Sequence, residues 1–302
     1  MIWVELSTEV EPEAVESVAE LFSSLGQGGV AVEEPLAAST EPGAIVIDPN
    51  RPVVVKTYLP EDADTEPRVH RAEEALWHLS QLRQVGPLRV ARLAEEDWAE
   101  AWKKFFFVQR IGERVIVKPS WREYQPEPND VVLELDPGMA FGTGLHPTTR
   151  MCILVCEQFV REGMRVLDLG TGSGILAITA AKLGAASVLA LDVDQVAVRV
   201  ATENVALNGL EDLIQVRQGS IEQTALDGGY DLILANIIAS VIAELAPRLR
   251  AAIAPSGLLV VSGIIEEREG LVIEALEDAG MRIEETMAEG DWRAMVCRHG
   301  RA

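Results

Sequence analysis

Apolar and polar positions change rhythm twice along the chain. In "IWVELST" (2–8) they alternate, as in a strand with one buried face. "PEAVESVAELFSSLG" has a helix start at Glu11-Pro12-Glu13, apolar residues spaced near 3.6 and a stop at Gly26. "GVAVEEP", "RPVVVKTYLP" and "PLRVARL" predict strands, and "EPRVHRAEEALWHLSQL" a helix between the last two. "AASTEPGAIVIDPN" reads as a loop. The order β-α-β-β-α-β predicts a small ferredoxin-like α+β domain over residues 1–93. That fold serves many unrelated jobs, so alone it says little about function.

Residues 94–128 are read as a connecting helix and linker. In "EEDWAEAWKKFFF" Trp98 and Trp102 lie one helical turn apart and face one way. They suit core packing; a platform for stacked bases would want basic neighbours, and only Lys103 and Lys104 offer that. The linker closes on the proline-rich "QPEPND".

Over 129–302 the rhythm changes again. After the strand "VVLELDPG", continuous apolar runs ("RVLDLG", "SVLALDVD", "LIQVRQGS", "YDLILANII", "GLLVVSGI") alternate with helical ones ("GILAITAAKLG", "QVAVRVATENVALNG", "SVIAELAPRLRAAIA", "EEREGLVIEALEDAG"). Strands apolar on both sides predict a parallel sheet covered on both faces. The tail "MRIEETMAEGDWRAMVCRH" predicts an edge hairpin, which completes a seven-stranded Rossmann-like α/β sheet.

Composition narrows the function classes. The 302 residues suit about two domains. A net charge of -22 repels phosphate backbones and anionic membranes, so nucleic acid is a poor partner. It attracts a basic partner, and equally it confers solubility. Cys152, Cys156 and Cys297 form no disulfide framework. The histidines at 70, 78, 146 and 299 have no metal-ligand spacing, so no metal is expected. With neither a signal-peptide pattern nor a membrane-length apolar run, the expected location is cytoplasmic.

The chemistry concentrates in "RVLDLGTGSGILAI" (165–178). A strand ends at Asp168-Leu169, a loop holds Gly170, Gly172 and Gly174, and a helix follows. Glycines let backbone pass close to a ligand, and the helix start offers free N–H groups. The next strand closes at Asp192, 22 positions after Gly170, where a carboxylate can take both hydroxyls of a ribose. The competing role for Asp192 and Asp194 is to cap the following helix. A nicotinamide dinucleotide and S-adenosylmethionine both fit this pattern, and "GSGILA" even satisfies the looser dinucleotide form. Three features favour the second. Asp168 is a carboxylate where a pyrophosphate would be repelled and an ammonium welcomed. Asn236 stands at the end of a further strand. The edge hairpin is also more like a methyltransferase than a dehydrogenase.

The stretches "DWAEAWKKFF", "GERVIVKPSW", "LDPGMAFGTGLHPTTR", "LDLGTGSGILAITAAKLGA", "LDVDQVAV" and "ANIIA" resemble the bacterial ribosomal protein L11 methyltransferase family. The resemblance runs from about residue 95 to the end, and the N-terminal element order agrees with it. It implies S-adenosylmethionine as cofactor, contacted by Thr149, Gly170, Asp192 and Asn236. It also implies an N-terminal domain that docks a basic ribosomal protein, with methylation of lysine side chains and an N-terminal amine. A monomer is expected. Leu145, "ANIIA" in place of a more usual Asn-Ile-Leu-Ala, and "KKFFFVQ" without a following His-Pro depart from the family's pattern.

With that cofactor the loop "DPGMAFGTGLHPTTR" (136–150) acquires a job. Asp136-Pro137-Gly138 turns the chain, and Gly142-Thr143-Gly144 folds over the ligand. Pro147 starts a helix whose first turn holds Thr148 and Thr149, suited to the carboxylate of the cofactor's methionine part. Phe141 either shields the cofactor or packs between domains. His146 reads as a helix cap, and no general base is assigned. The alternatives are a methyltransferase acting on another protein or a small molecule, a nicotinamide-dependent oxidoreductase, and a binding module without catalysis.

Overall fold

The computed structural model describes residues 2–25, 30–33, 36–37, 46–47, 51–81, 83–94, 106–136, 144, 146–221 and 229–300. It separates into two compact units, Met1–Phe106 and Phe107–Ala302.

The first unit carries β1 (Ile2–Val10), α1 (Val15–Leu25), β2 (Val30–Glu33), the two-residue pair β3 (Leu36–Ala37) and β4 (Val46–Ile47), β5 (Val53–Pro60), α2 (Thr65–Ser80) and β6 (Arg89–Ala94). Its main sheet has the order β2-β5-β1-β6, antiparallel throughout. That is the ferredoxin-like arrangement read from the sequence. Alternation explains the packing: in β5, Val53, Val55, Thr57 and Leu59 are buried while the residues between them are not. Those valines and Leu59 join Val4, Leu6, Val18, Phe22, Ala72 and Leu76 in one core under the two helices.

The second unit opens with a small sheet, two strands of which fall within the stretch 94–128 expected to be a connecting helix and linker. β7 (Gln109–Ile111) and β8 (Val115–Lys118) form a hairpin, and β9 (Val131–Glu134) pairs parallel to β8. Gly112, at φ +72°, makes the turn. The carboxylate of Glu157 grips that turn, accepting the amides of Glu113 (3.0 Å), Arg114 (2.8 Å) and Val115 (2.7 Å). The proline-rich stretch is pinned as well: the Tyr124 hydroxyl donates to Asp130, which also pairs with Arg110. Residues 95–105, with Trp98 and Trp102, lie outside the described residues.

Then follow α3 (Pro147–Phe159), β10 (Arg165–Leu169), α4 (Ile175–Lys182), β11 (Ser187–Asp192), α5 (Gln195–Leu207), β12 (Ile214–Gln218), β13 (Tyr230–Asn236), α6 (Ala239–Ala252), β14 (Ile253–Ile265), α7 (Glu269–Asp278), β15 (Met281–Glu289) and β16 (Trp292–His299). The seven-stranded sheet has the order β12-β11-β10-β13-β14-β16-β15. The first five strands are parallel, and the terminal hairpin is antiparallel at one edge. Successive residues of each strand feed opposite cores: Val166 and Val188 pack with Cys152, Ile153 and Ile178, whereas Leu167 and Leu169 pack with Ile242, Leu249 and Leu276. The three cysteines are buried and free. One helix ends earlier than the sequence suggested. Ile253 is already extended, because Pro255 has no N–H to continue a helix, so β14 starts before the Pro-Ser-Gly turn signal. Pro247 is nonetheless accommodated inside α6.

Candidate functional site

Three neighbouring parallel strands end together. From β10, Asp168 shares the face of Val166 and points at the start of α4. It is fully buried. Its Oδ2 accepts the Thr171 hydroxyl (2.6 Å) and the Ala177 amide (3.0 Å), so the strand caps the helix that follows it. Its Oδ1 is buried with no hydrogen-bond partner. Burial raises the Asp168 carboxyl to about 7, with the Asp192 charge adding to it and the two hydrogen bonds opposing. A buried, unpaired carboxylate oxygen beside a glycine loop calls for a cationic donor and repels a pyrophosphate.

The loop itself needs its glycines. Gly170 has φ +73°, and a Cβ there would stand 2.3 Å from Ile237 Cγ2. Gly170 and Thr171 both donate their amides to the Leu191 carbonyl, at 2.8 and 3.0 Å. Gly174 is the N-cap of α4 at φ +86° and supplies no side-chain cap.

At the end of β11, Asp192 holds the loop from the side. Its Oδ2 accepts the Gly172 amide (2.9 Å) and its Oδ1 the Asp194 amide (3.0 Å). Each oxygen keeps acceptor capacity for a further donor. The capping role falls to Asp194, which accepts the Val196 amide at 2.9 Å. Between the two aspartates Val193 is 70% exposed, an apolar surface at the crevice.

At the end of β13, Asn236 donates from Nδ2 to Thr149 Oγ1 at 3.3 Å. Thr148 and Thr149 are both buried in the first turn of α3. Pro147 occupies the N-terminal position expected of it, and His146 is the N-cap: its Nδ1 accepts the Thr148 amide and meets the Thr148 hydroxyl at 2.7 Å. Burial lowers the His146 pKa. The chain leaves Asn236 through Ile237, whose amide donates to Ser262 (3.1 Å).

The loop before α3 is described only at its margins. Asp136 accepts the amide and hydroxyl of Ser120, and its own amide donates to Asn204. Gly144 is buried at φ +84°, with Ile175 and Ile111 side chains at 3.2 and 3.4 Å from a built Cβ. Pro137, Gly138, Phe141, Gly142, Thr143 and Leu145 lie outside the described residues.

A family model described as Ribosomal protein L11 methyltransferase (PrmA) matches residues 2–300. The chain belongs to the ribosomal protein L11 methyltransferase family. It is 51% identical over 320 residues to the ribosomal protein L11 methyltransferase of Chloroflexus aurantiacus, with 98% of each chain covered. It is 44% identical over 310 residues to that of Pelotomaculum thermopropionicum, with 99% of each covered. Among solved structures, a ribosomal protein L11 methylase from Lactobacillus delbrueckii subsp. bulgaricus superposes with a TM-score of 0.60 at 34% identity, over 65% of this chain and all of that one. Membership makes this chain an S-adenosylmethionine-dependent methyltransferase.

For a methyltransferase of this family, the structure adds residues that sequence reasoning passed over. Gly263 lies in the run "GLLVVSGI", whose pattern predicts only a plain strand. At φ +84°, its built Cβ would stand 2.4 Å from the Ile237 carbonyl oxygen, so only glycine lets β14 run this close behind Asn236. A glycine inside an apolar run was the available signal. Trp292, at the tip of the terminal hairpin, sets its ring edge-to-face with His146 at 4.6 Å. Nothing in the local sequence pattern pointed to that contact.

Proposed function

We propose that this methyltransferase modifies lysine side chains, an N-terminal amine, or both, on ribosomal protein L11, and that Thr149, Gly170, Asp192 and Asn236 contact its S-adenosylmethionine. The observation that carries the donor reading is the buried, unpartnered Oδ1 of Asp168, which suits the ammonium of the cofactor's methionine part. When bound, S-adenosylmethionine supplies an electrophilic methyl group on a sulfonium centre.

The remaining work belongs to the chain. Asp192, with spare acceptor capacity on both oxygens, receives the ribose hydroxyls, and Val193 gives the adenine an apolar neighbour. The close approach of Ile237 to Gly170 and the positive φ there keep this turn of the loop glycine. Thr149 accepts from Asn236, which leaves its hydroxyl proton for the methionine carboxylate. Because Asn236 spends Nδ2 on Thr149, its Oδ1 is the acceptor that orients the incoming amine. A free lysine, with a pKa of about 10.4, is mostly charged at neutral pH; transfer into the site selects the neutral amine. In-line placement then supplies much of the rate. His146 acts as a cap, and no general base is assigned.

The N-terminal ferredoxin-like domain (1–93) is assigned to substrate docking and residues 129–302 to methyl transfer, with 94–128 between them. A cytoplasmic monomer that engages no nucleic acid completes the reading. Among the described residues no helix is long and apolar enough to cross a membrane.

The test is incubation with labelled S-adenosylmethionine and undermethylated ribosomal proteins, with mass spectrometry to locate the label. Label on L11 amines supports the reading; label confined to another protein or to small molecules moves the substrate assignment. Asp192→Ala with undiminished donor affinity sinks the donor site.

A further inference from the structure

The terminal hairpin does more than close the sheet. Its tip touches α3 twice: the Trp292 ring meets the His146 ring edge-to-face at 4.6 Å and 71°, and Glu289 pairs with Arg150 at 3.5 Å. His146 and Arg150 are one helical turn apart, so both contacts bear on the turn that contains Thr148 and Thr149. The tip is held in its own right. Arg293 pairs with Glu266 (3.0 Å) and Glu269 (3.4 Å), and its carbonyl accepts the Ser262 hydroxyl (3.0 Å) from β14.

We propose that Trp292 is a positioning residue for the methyl-donor site, acting through His146. The indole covers the imidazole and keeps it turned so that Nδ1 accepts from Thr148. A protonated ring has no acceptor and cannot make that cap. The cap fixes the first turn of α3, and that turn sets the Thr149 hydroxyl opposite Asn236. The charged groups on either side, Arg150 on the same helix and Glu289 on the hairpin, are paired with each other, and burial lowers the ring's pKa. The inference rests on the donor role given to Thr149.

Two measurements test it on the full chain. The first is the pH titration of the His146 ring by NMR in wild type, Trp292→Leu and Trp292→Phe. Removal of the indole is expected to return the ring to the ordinary histidine range, with phenylalanine preserving most of the depression. The second is calorimetry with S-adenosylmethionine. Trp292→Leu is expected to weaken binding about five- to ten-fold, the effect of losing a helix cap. His146→Ala should weaken it similarly, and the double variant no further than the worse single one. Additive losses, or a Trp292→Leu protein with an unmoved His146 titration and affinity within two-fold of wild type, would overturn the proposal. Wild-type protein that binds no donor would sink the donor reading instead, and the ring titration would still decide whether Trp292 governs His146. If Trp292→Leu does not fold, Trp292→Phe and His146→Ala carry the comparison.

Discussion

The proposed pairing of Asp168 with the donor's ammonium predicts a pH dependence whose size can be worked out. Its carboxyl ionises near 7 because it is buried, against about 3.9 in an unfolded chain. Between those values the unfolded chain is ionised while the native protein holds the proton. Stability is therefore highest at low pH on this account, falls as pH rises toward 7 and is flat above it, a total of about 4 kcal/mol. A bound ammonium reverses the preference and draws the proton off. The cofactor's own amine, with a pKa of about 7.7–8.0, is cationic throughout pH 5–7. About half of Asp168 is ionised at pH 7 and about one-eleventh at pH 6, so donor affinity should fall about five-fold between them and about ten-fold more by pH 5. Burial lowers the His146 pKa, and Asp168→Asn, which leaves His146 in place, separates its contribution from that of Asp168. Calorimetry in two buffers of different ionisation enthalpy reads the linked proton directly: release of nearly one proton at pH 6, and net uptake of about half a proton at pH 8, where the cofactor's amine is itself largely neutral and must be protonated to bind as the ammonium. Asp168→Asn keeps an acceptor for Thr171 and Ala177 and should bind weakly with no slope. Equal affinity at pH 6 and pH 7 with no proton exchanged would refute the pairing of Asp168 with the ammonium.

Other perturbations follow from the same geometry. Gly263→Ala forces a Cβ to 2.4 Å from the Ile237 carbonyl oxygen at φ +84°, whereas Gly290→Ala, at φ +58°, meets open space. Both carry backbone strain of about 1–2 kcal/mol, so thermal melts showing a clearly larger loss for Gly263→Ala, with a lowered kcat, isolate the clash behind Asn236. Glu157→Ala frees three hairpin amides and should cost about 2 kcal/mol or more, read as a melting temperature roughly 4–8 °C lower; an unchanged melt would mean water replaces the carboxylate at no cost. The rate of L11 capture should drop several-fold as salt rises, since the chain carries -22 and a ribosomal protein is basic. A flat salt dependence would leave the acidic surface only a solubility role.

The site exists because sheet register brings three strand ends level. Asp168 lies beside Ala190 of β11 and Leu234 of β13, so the tips of those strands, Asp192 and Asn236, fall on either side of the glycine loop. This much was legible in the sequence. The run "LILA" (232–235) is apolar throughout because both faces of the sheet are covered, and Asn236 interrupts it at the strand's end, where the chain is again partly exposed; Asp168 interrupts the run of β10 while fully buried. The hairpin of β7 and β8 was not legible: strands of three and four residues are too short to establish a period, and their anchor, Glu157, lies more than forty positions away in the chain. The same limit explains Trp292, which reaches the donor side of the sheet only after β16 has crossed back beside β14. Asp168 falls between the two cases. Its place before the glycines announced a carboxylate unsuited to a pyrophosphate. That one oxygen is satisfied by Thr171 and Ala177 and the other left bare depends on the turn from Gly170 to Gly174, and it is this bare oxygen on which the proposed ammonium contact rests.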